Sequence, residues 1–250
     1  MKRSRKILSL LLAVALMAAV LSGGVSAAAP GGSVDLGDVV QMGSFEGLSH
    51  YIVFYPKALE TSDQVWPVAV WANGTMCAPV LYTELLRQVA AKGFVVVASA
   101  EIMSADGKAQ SAAIDYILGQ GSTAGSVFCG RIDPARIAAF GHSQGGRSTV
   151  NAAAADSRIR CAVSIAGSNF TSEAKKLSTP TLFFTATADL IVLSSMWVKP
   201  AFNNCRGPAV YASLKGGIHT SCMLKADLYA GYCAAWFRAW LDGDQKNVIL

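Results

Sequence analysis

The chain is poor in charge and in metal-binding side chains. Asp, Glu, Lys and Arg make up 15% of its 250 residues, there are 3 histidines, and the 6 cysteines include no C-x-x-C pair. A zinc site needs several such ligands at short spacing, so no metal is expected. No stripe of Lys and Arg with interleaved aromatics occurs, which excludes the electrostatic footprint of a nucleic-acid partner. Nothing resembles an interdomain linker, and a chain that is 52% hydrophobic can build one sizeable core. One domain is expected over residues 30–250.

No apolar run reaches the roughly 20 residues needed to cross a bilayer. The nearest is Ile7 to Leu21, about 15 residues, which follows Lys2, Arg3, Arg5 and Lys6 and leads into small residues through Ala29. That order of basic, apolar and small residues predicts a secretory signal peptide over residues 1–29. Val25-Ser26-Ala27 and Ala27-Ala28-Ala29 both offer cleavage sites, so the mature chain is expected to begin between Ala28 and Pro30. It would be extracellular, with no stable membrane anchor. Cleavage would leave 17 Lys and Arg against 16 Asp and Glu, a net charge of about +1 in place of +5.

Cys77, Cys129, Cys161, Cys205, Cys222 and Cys233 all lie in the exported part. An even count in an oxidising compartment predicts disulfides. Cys161 opens an apolar strand-like run and equally suits a buried free thiol.

Short apolar segments alternate with longer amphipathic ones, the pattern of a mostly parallel sheet with helices on both faces. Strands are expected at 50–55, 65–71, 94–98, 136–140, 161–166, 181–186 and 209–214. Helices are expected at 80–92, 108–118, 147–155 and 226–241, with Gly119 to Asp133 as a loop.

One motif stands out from this alternation. Gly141-His142-Ser143-Gln144-Gly145-Gly146 fits G-x-S-x-G between an apolar strand and a helix, the setting of a nucleophile elbow. The glycines let neighbouring chain pass close while Ser143 is held at a sharp turn. A serine hydroxyl needs a general base. His142 is adjacent to Ser143 and points to the other side of a strand, and His50 lies far upstream. His219, in the polar loop Gly216-Gly217-Ile218-His219-Thr220-Ser221 after the last strand, is therefore the expected base. Asp189, just beyond the strand 181–186, is the expected acid that orients it. Asp156, Glu173 and Asp227 are weaker rivals by position. Two backbone amides should stabilise an oxyanion: Gln144, and Thr75 in the loop Trp71-Ala72-Asn73-Gly74-Thr75-Met76, with Met76 as the fallback.

The Asn73-Gly74-Thr75 loop, Ala91-Lys92-Gly93-Phe94-Val95-Val96-Val97, the elbow, Thr187-Ala188-Asp189 and the His219 loop together resemble the α/β-hydrolase fold. Within it, the chain is similar to the bacterial cutinase-like and polyester hydrolases related to dienelactone hydrolases. The resemblance covers nearly the whole mature region. It implies an extracellular carboxylic ester hydrolase acting through an acyl-enzyme, with a Ser143, Asp189, His219 triad and without metal or organic cofactor; a monomer is expected, and an ester substrate that can be polymeric. The short connection from Gly167 to Thr179 has no room for a lid domain, so an open cleft is expected. The chain departs from the resemblance at Thr75 and Ser168, where those enzymes carry aromatic residues, and at Gln144, where methionine is common and a more polar cleft follows. Met76, Ser168, Phe170, Ile191 and Trp197 are the candidate substrate contacts. A cell-surface acyltransferase and a non-catalytic binding protein of the same fold are the alternative functions.

Overall fold

The structure is a computed structural model, and it describes residues 37–44 and 49–243. The expected signal peptide lies outside the described residues. Eight strands form one sheet: β1 (Val39–Met42), β2 (Tyr51–Pro56), β3 (Trp66–Ala72), β4 (Val95–Ser99), β5 (Ile132–His142), β6 (Ile159–Ile165), β7 (Thr181–Ala186) and β8 (Ala209–Leu214). Their order is β1-β2-β4-β3-β5-β6-β7-β8. β2 runs against both neighbours, while β3 to β8 are mutually parallel.

The helices are α1 (Thr83–Ala91), α2 (Lys108–Ser122), α3 (Gln144–Ala155), α4 (Thr171–Ala174), α5 (Val198–Asn204), α6 (Ser221–Leu224) and α7 (Ala226–Leu241). Alternation along the strands gives the sheet two apolar faces. Ala69, Trp71 and Phe140 pack with Leu85 and Val89 of α1 and Trp236 and Phe237 of α7. Val68, Val70 and Ile137 face the other way, onto Ile114 and Ile117 of α2, Val150 of α3 and Val198 of α5. Central strands buried on both faces explain runs such as Val95-Val96-Val97.

The chain passes from β3 to β4 on one side and then crosses to β5 on the other. At such a reversal the loops beyond the two strands diverge and open a crevice at their carboxyl ends. The Asn73 loop after β3 and Ser143 after β5 flank that crevice. The connection from β6 to β7 contains only the four-residue α4, so it supplies no lid domain.

Several boundaries differ from the expectation. α2 runs on to Ser122 through Gly119 and Gly121. A helical glycine costs only about 1 kcal/mol, and Gly121 lets Ile132 approach to 3.1 Å of where a Cβ would stand. The predicted helix 80–92 begins as a 3₁₀ turn at Pro79–Tyr82, and β5 begins at Ile132, four residues before the apolar run. The edge strand β1 was not expected. The cysteines require a correction: all six are free thiols in this structure, and Cys161, Cys222 and Cys233 are buried. Those three sit among the side chains of one apolar core, where a thiol serves as a small hydrophobe.

Candidate active site

Ser143 follows the last residue of β5 and precedes the first residue of α3, with φ 58° and ψ −119°. A non-glycine residue at such a φ is strained, and the strain persists because the surroundings fix it. The Ser143 amide donates to Ile165 O at 2.9 Å, and its carbonyl accepts from Arg147 N at 3.2 Å and Ser168 N at 3.3 Å. Close packing makes the flanking glycines obligatory: a Cβ on Gly145 would run into the Ala72 carbonyl, and one on Gly141 into Gly145 O.

His219 Nδ1 lies 2.8 Å from Asp189 Oδ2, and both side chains are nearly or fully buried. The other Asp189 oxygen accepts the amides of Ile191 at 2.9 Å and Val192 at 2.8 Å. Burial acts to raise the pKa of this carboxyl. The hydrogen bond and charge of His219 and the two amides outweigh it and hold the group below its ordinary value. An ionised Asp189 fixes the His219 proton on Nδ1 and leaves Nε2 as a base. Ser143 Oγ and His219 are not hydrogen-bonded here. Such contacts are often long without substrate and tighten in the complex.

The rival groups are occupied elsewhere. Asp156 is paired with Arg158 at 2.7 Å and Glu173 with Arg147 at 2.6 Å, while Asp227 sits in the first turn of α7. His50 packs edge-on against Tyr51. His142 is buried, with Nδ1 3.0 Å from the Tyr82 hydroxyl and Nε2 2.9 Å from His219 O. Burial first, then the neighbouring His219, push it down to about 3, so it stays neutral.

Of the two oxyanion candidates after β3, Met76 donates its amide to Ile102 O at 2.9 Å. Among the described residues the amides of Thr75 and Gln144 have no acceptor. Asn73 anchors the loop: its Nδ2 donates to Ser99 O at 2.8 Å and Glu101 O at 2.9 Å, and its Oδ1 accepts from Trp71 Nε1 at 2.8 Å. The Gln144 side chain accepts from Ser104 N at 3.0 Å and so braces the loop after β4. Its Nε2 lies 4.0 Å from Met103 Sδ on the exposed side.

Ser168 is joined to Ser143 through its backbone. Phe170 packs against Trp197 with ring centroids 5.6 Å apart, and the Arg147 guanidinium lies 4.0 Å from the Phe170 centroid. Met76 and Ile191 are exposed at 55% and 49%, enough for both to meet a ligand. Asn73, Tyr82 and Glu173 act as supports: the sequence shows Asn73 only as a loop residue and Glu173 only as a rival acid, and gives Tyr82 no role. Tyr82 reads as one more apolar position of the expected helix 80–92, and only the fold brings it to His142.

A strained serine at a strand-to-helix turn, an Asp–His pair at two later strand ends, and this strand order define an α/β-hydrolase. The family described as PET hydrolase-like matches residues 24–248, and the chain belongs to it. It is thus a carboxylic ester hydrolase by class. It is 26% identical over 208 residues to cutinase est2 of Thermobifida alba, covering 80% of this chain and 67% of that one. It is 27% identical over 201 residues to a bis(hydroxyethyl) terephthalate hydrolase of Streptomyces coelicolor, covering 78% and 63%. Against cutinase 1 of Thermobifida cellulosilytica it is 24% identical over 210 residues, covering 81% and 78%.

Proposed function

We propose that the protein is a secreted serine esterase that cleaves apolar or polymeric carboxylic esters through an acyl-enzyme. The observation that carries this reading is the 2.8 Å Asp189–His219 contact at the strand ends beside a Ser143 held at positive φ. His219 Nε2 takes the Ser143 proton as Oγ attacks the ester carbonyl, and Asp189 stabilises the imidazolium. The amides of Thr75 and Gln144 donate to the oxyanion. The proton passes from His219 to the leaving alcohol, and water, activated by the same nitrogen, then releases the acid.

The surroundings favour apolar substrates. Among the described residues, every exposed large hydrophobic except Val65 lies on the loops and short helices at the carboxyl end of the sheet; Met76, Met103, Leu190, Ile191, Met196 and Ile218 are among them. An apolar rim around an uncovered crevice suits a substrate too large or too insoluble for a closed pocket. Phe170 and Trp197 supply an aromatic wall on the α4 side. The relatives' names, cutinases and a terephthalate ester hydrolase, agree with ester substrates of this kind.

The test compares wild type and Ser143→Ala on nitrophenyl esters of graded acyl length, on an aliphatic polyester and on an aromatic polyester. The variant is expected to lose at least about a thousandfold in kcat/KM. Equal rates for the two proteins would overturn the reading.

A further inference from the structure

We infer that Tyr82 and His142 are positioning residues that tie the oxyanion loop and the His219 loop into one hydrogen-bonded unit beside Ser143, an inference that rests on the esterase reading above. A carbonyl only accepts, so the 2.9 Å contact of His142 Nε2 with His219 O requires the proton on Nε2. A neutral imidazole carries one such proton, so Nδ1 is an acceptor. The Tyr82 hydroxyl, 3.0 Å away, must then give it its single proton. That leaves the hydroxyl oxygen to accept the Gly74 amide at 3.1 Å. The chain of donors therefore runs from Gly74 N–H to Tyr82, from Tyr82 to His142, and from His142 to the backbone of the base. The His219 carbonyl sets its direction, both of its side chains are buried, and the Cys77 thiol is a further neighbour of the Tyr82 hydroxyl. One end holds the residue before the Thr75 amide; the other holds His219 itself. Gly74 is also close enough to Ser143 that a Cβ there would stand 3.5 Å from the serine Cβ and 2.8 Å from the Tyr82 hydroxyl. His142 thus connects the two loops without touching substrate.

Two measurements test this. The ring ¹⁵N resonances of wild-type protein, which has 3 histidines, should show His142 with Nε2 protonated and Nδ1 bare. On a soluble nitrophenyl ester, Tyr82→Phe and His142→Leu should lower kcat about tenfold or more with KM within about twofold. His142→Gln should recover part of that loss, because its amide N–H stands where Nε2–H stood. A protonated Nδ1 in wild type would overturn the inference. So would a folded His142→Leu, verified by thermal unfolding, with wild-type kcat, or a loss confined to KM. Where a variant does not fold, the wild-type tautomer decides. Wild type inert on every ester, or Ser143→Ala fully active, would instead defeat the esterase reading, while the tautomer would still judge the hydrogen-bond chain.

Discussion

In the proposed triad, one loop residue, Asp189, and one buried neighbour, His142, support the base His219. Asp189→Asn removes the charge that stabilises the His219 imidazolium and permits the wrong tautomer. A fall in kcat of about a thousandfold or more is expected, with KM little changed, measured by steady-state kinetics at neutral pH. His142 has a separate thermodynamic consequence. Its folded value of about 3 lies below the ordinary 6.5. Between those values the unfolded chain binds a proton that the folded chain does not, so this residue's contribution to stability falls as pH falls, by about 1.4 kcal/mol per pH unit. The groups facing it are Tyr82, His219 and Asp189. Denaturant unfolding should show about half of this slope between pH 7 and 6 and nearly all of it between pH 6 and 5, and His142→Gln should flatten it. An unchanged slope would contradict the assignment. The candidate triad was legible at this scale because few residue types can do the chemistry and their order along the chain is constrained. Tyr82 was not, because its hydroxyl meets the Gly74 amide and, across 60 positions of sequence, His142, contacts that only the fold creates. The bracing contact of the Gln144 side chain was hidden for a similar reason: its partner, Ser104 N, is on another loop.

Among elements, the unit that matters most is β5, the turn and α3, held by steric contact with the end of β3. Gly145→Ala would drive a Cβ into the Ala72 and Asn73 carbonyls, which are backbone and cannot swing aside. A loss of about 1–3 kcal/mol or more in denaturant unfolding is expected, together with loss of activity. A second unit joins α3 to α4. Arg147 binds Glu173 with two nitrogens at 2.6 to 3.0 Å and covers the Phe170 ring. The pair is partly exposed, so Glu173→Gln should change stability by about 1 kcal/mol or less. It should also loosen Arg147 over Phe170 and raise KM for aromatic esters more than for aliphatic ones, as a pair of substrate series would show. The periodicity of the apolar residues located most strands and helices, and β7, β8 and α7 match their expected limits. The misses lie where tertiary contact overrides local preference: the Gly-containing end of α2, the 3₁₀ turn before α1 and the edge strand β1.

For the molecule as a whole, the parallel sheet gathers every candidate functional loop at one end, and the exposed apolar side chains gather there too. Replacing Leu190, which is 85% exposed, and Met196, 61% exposed, by aspartate should lower the rate on an insoluble polyester several-fold more than on a soluble nitrophenyl ester. Equal losses on both substrates would argue that the rim has no part in meeting a surface. The short β6–β7 connection, with only the four-residue α4, was legible in the sequence. The rim was not, because its residues are scattered along the sequence and meet only at the sheet's carboxyl end. Among the described residues no helix is long and apolar enough to cross a membrane. The role proposed for Ser143 as nucleophile is tested most directly by labelling the purified protein with a serine-directed phosphonate, followed by intact mass and peptide mapping. One adduct per chain, on Ser143, with ester hydrolysis lost in proportion to labelling, is the predicted result. Full hydrolytic activity with Ser143 unmodified, or inactivation through a different residue, would contradict it.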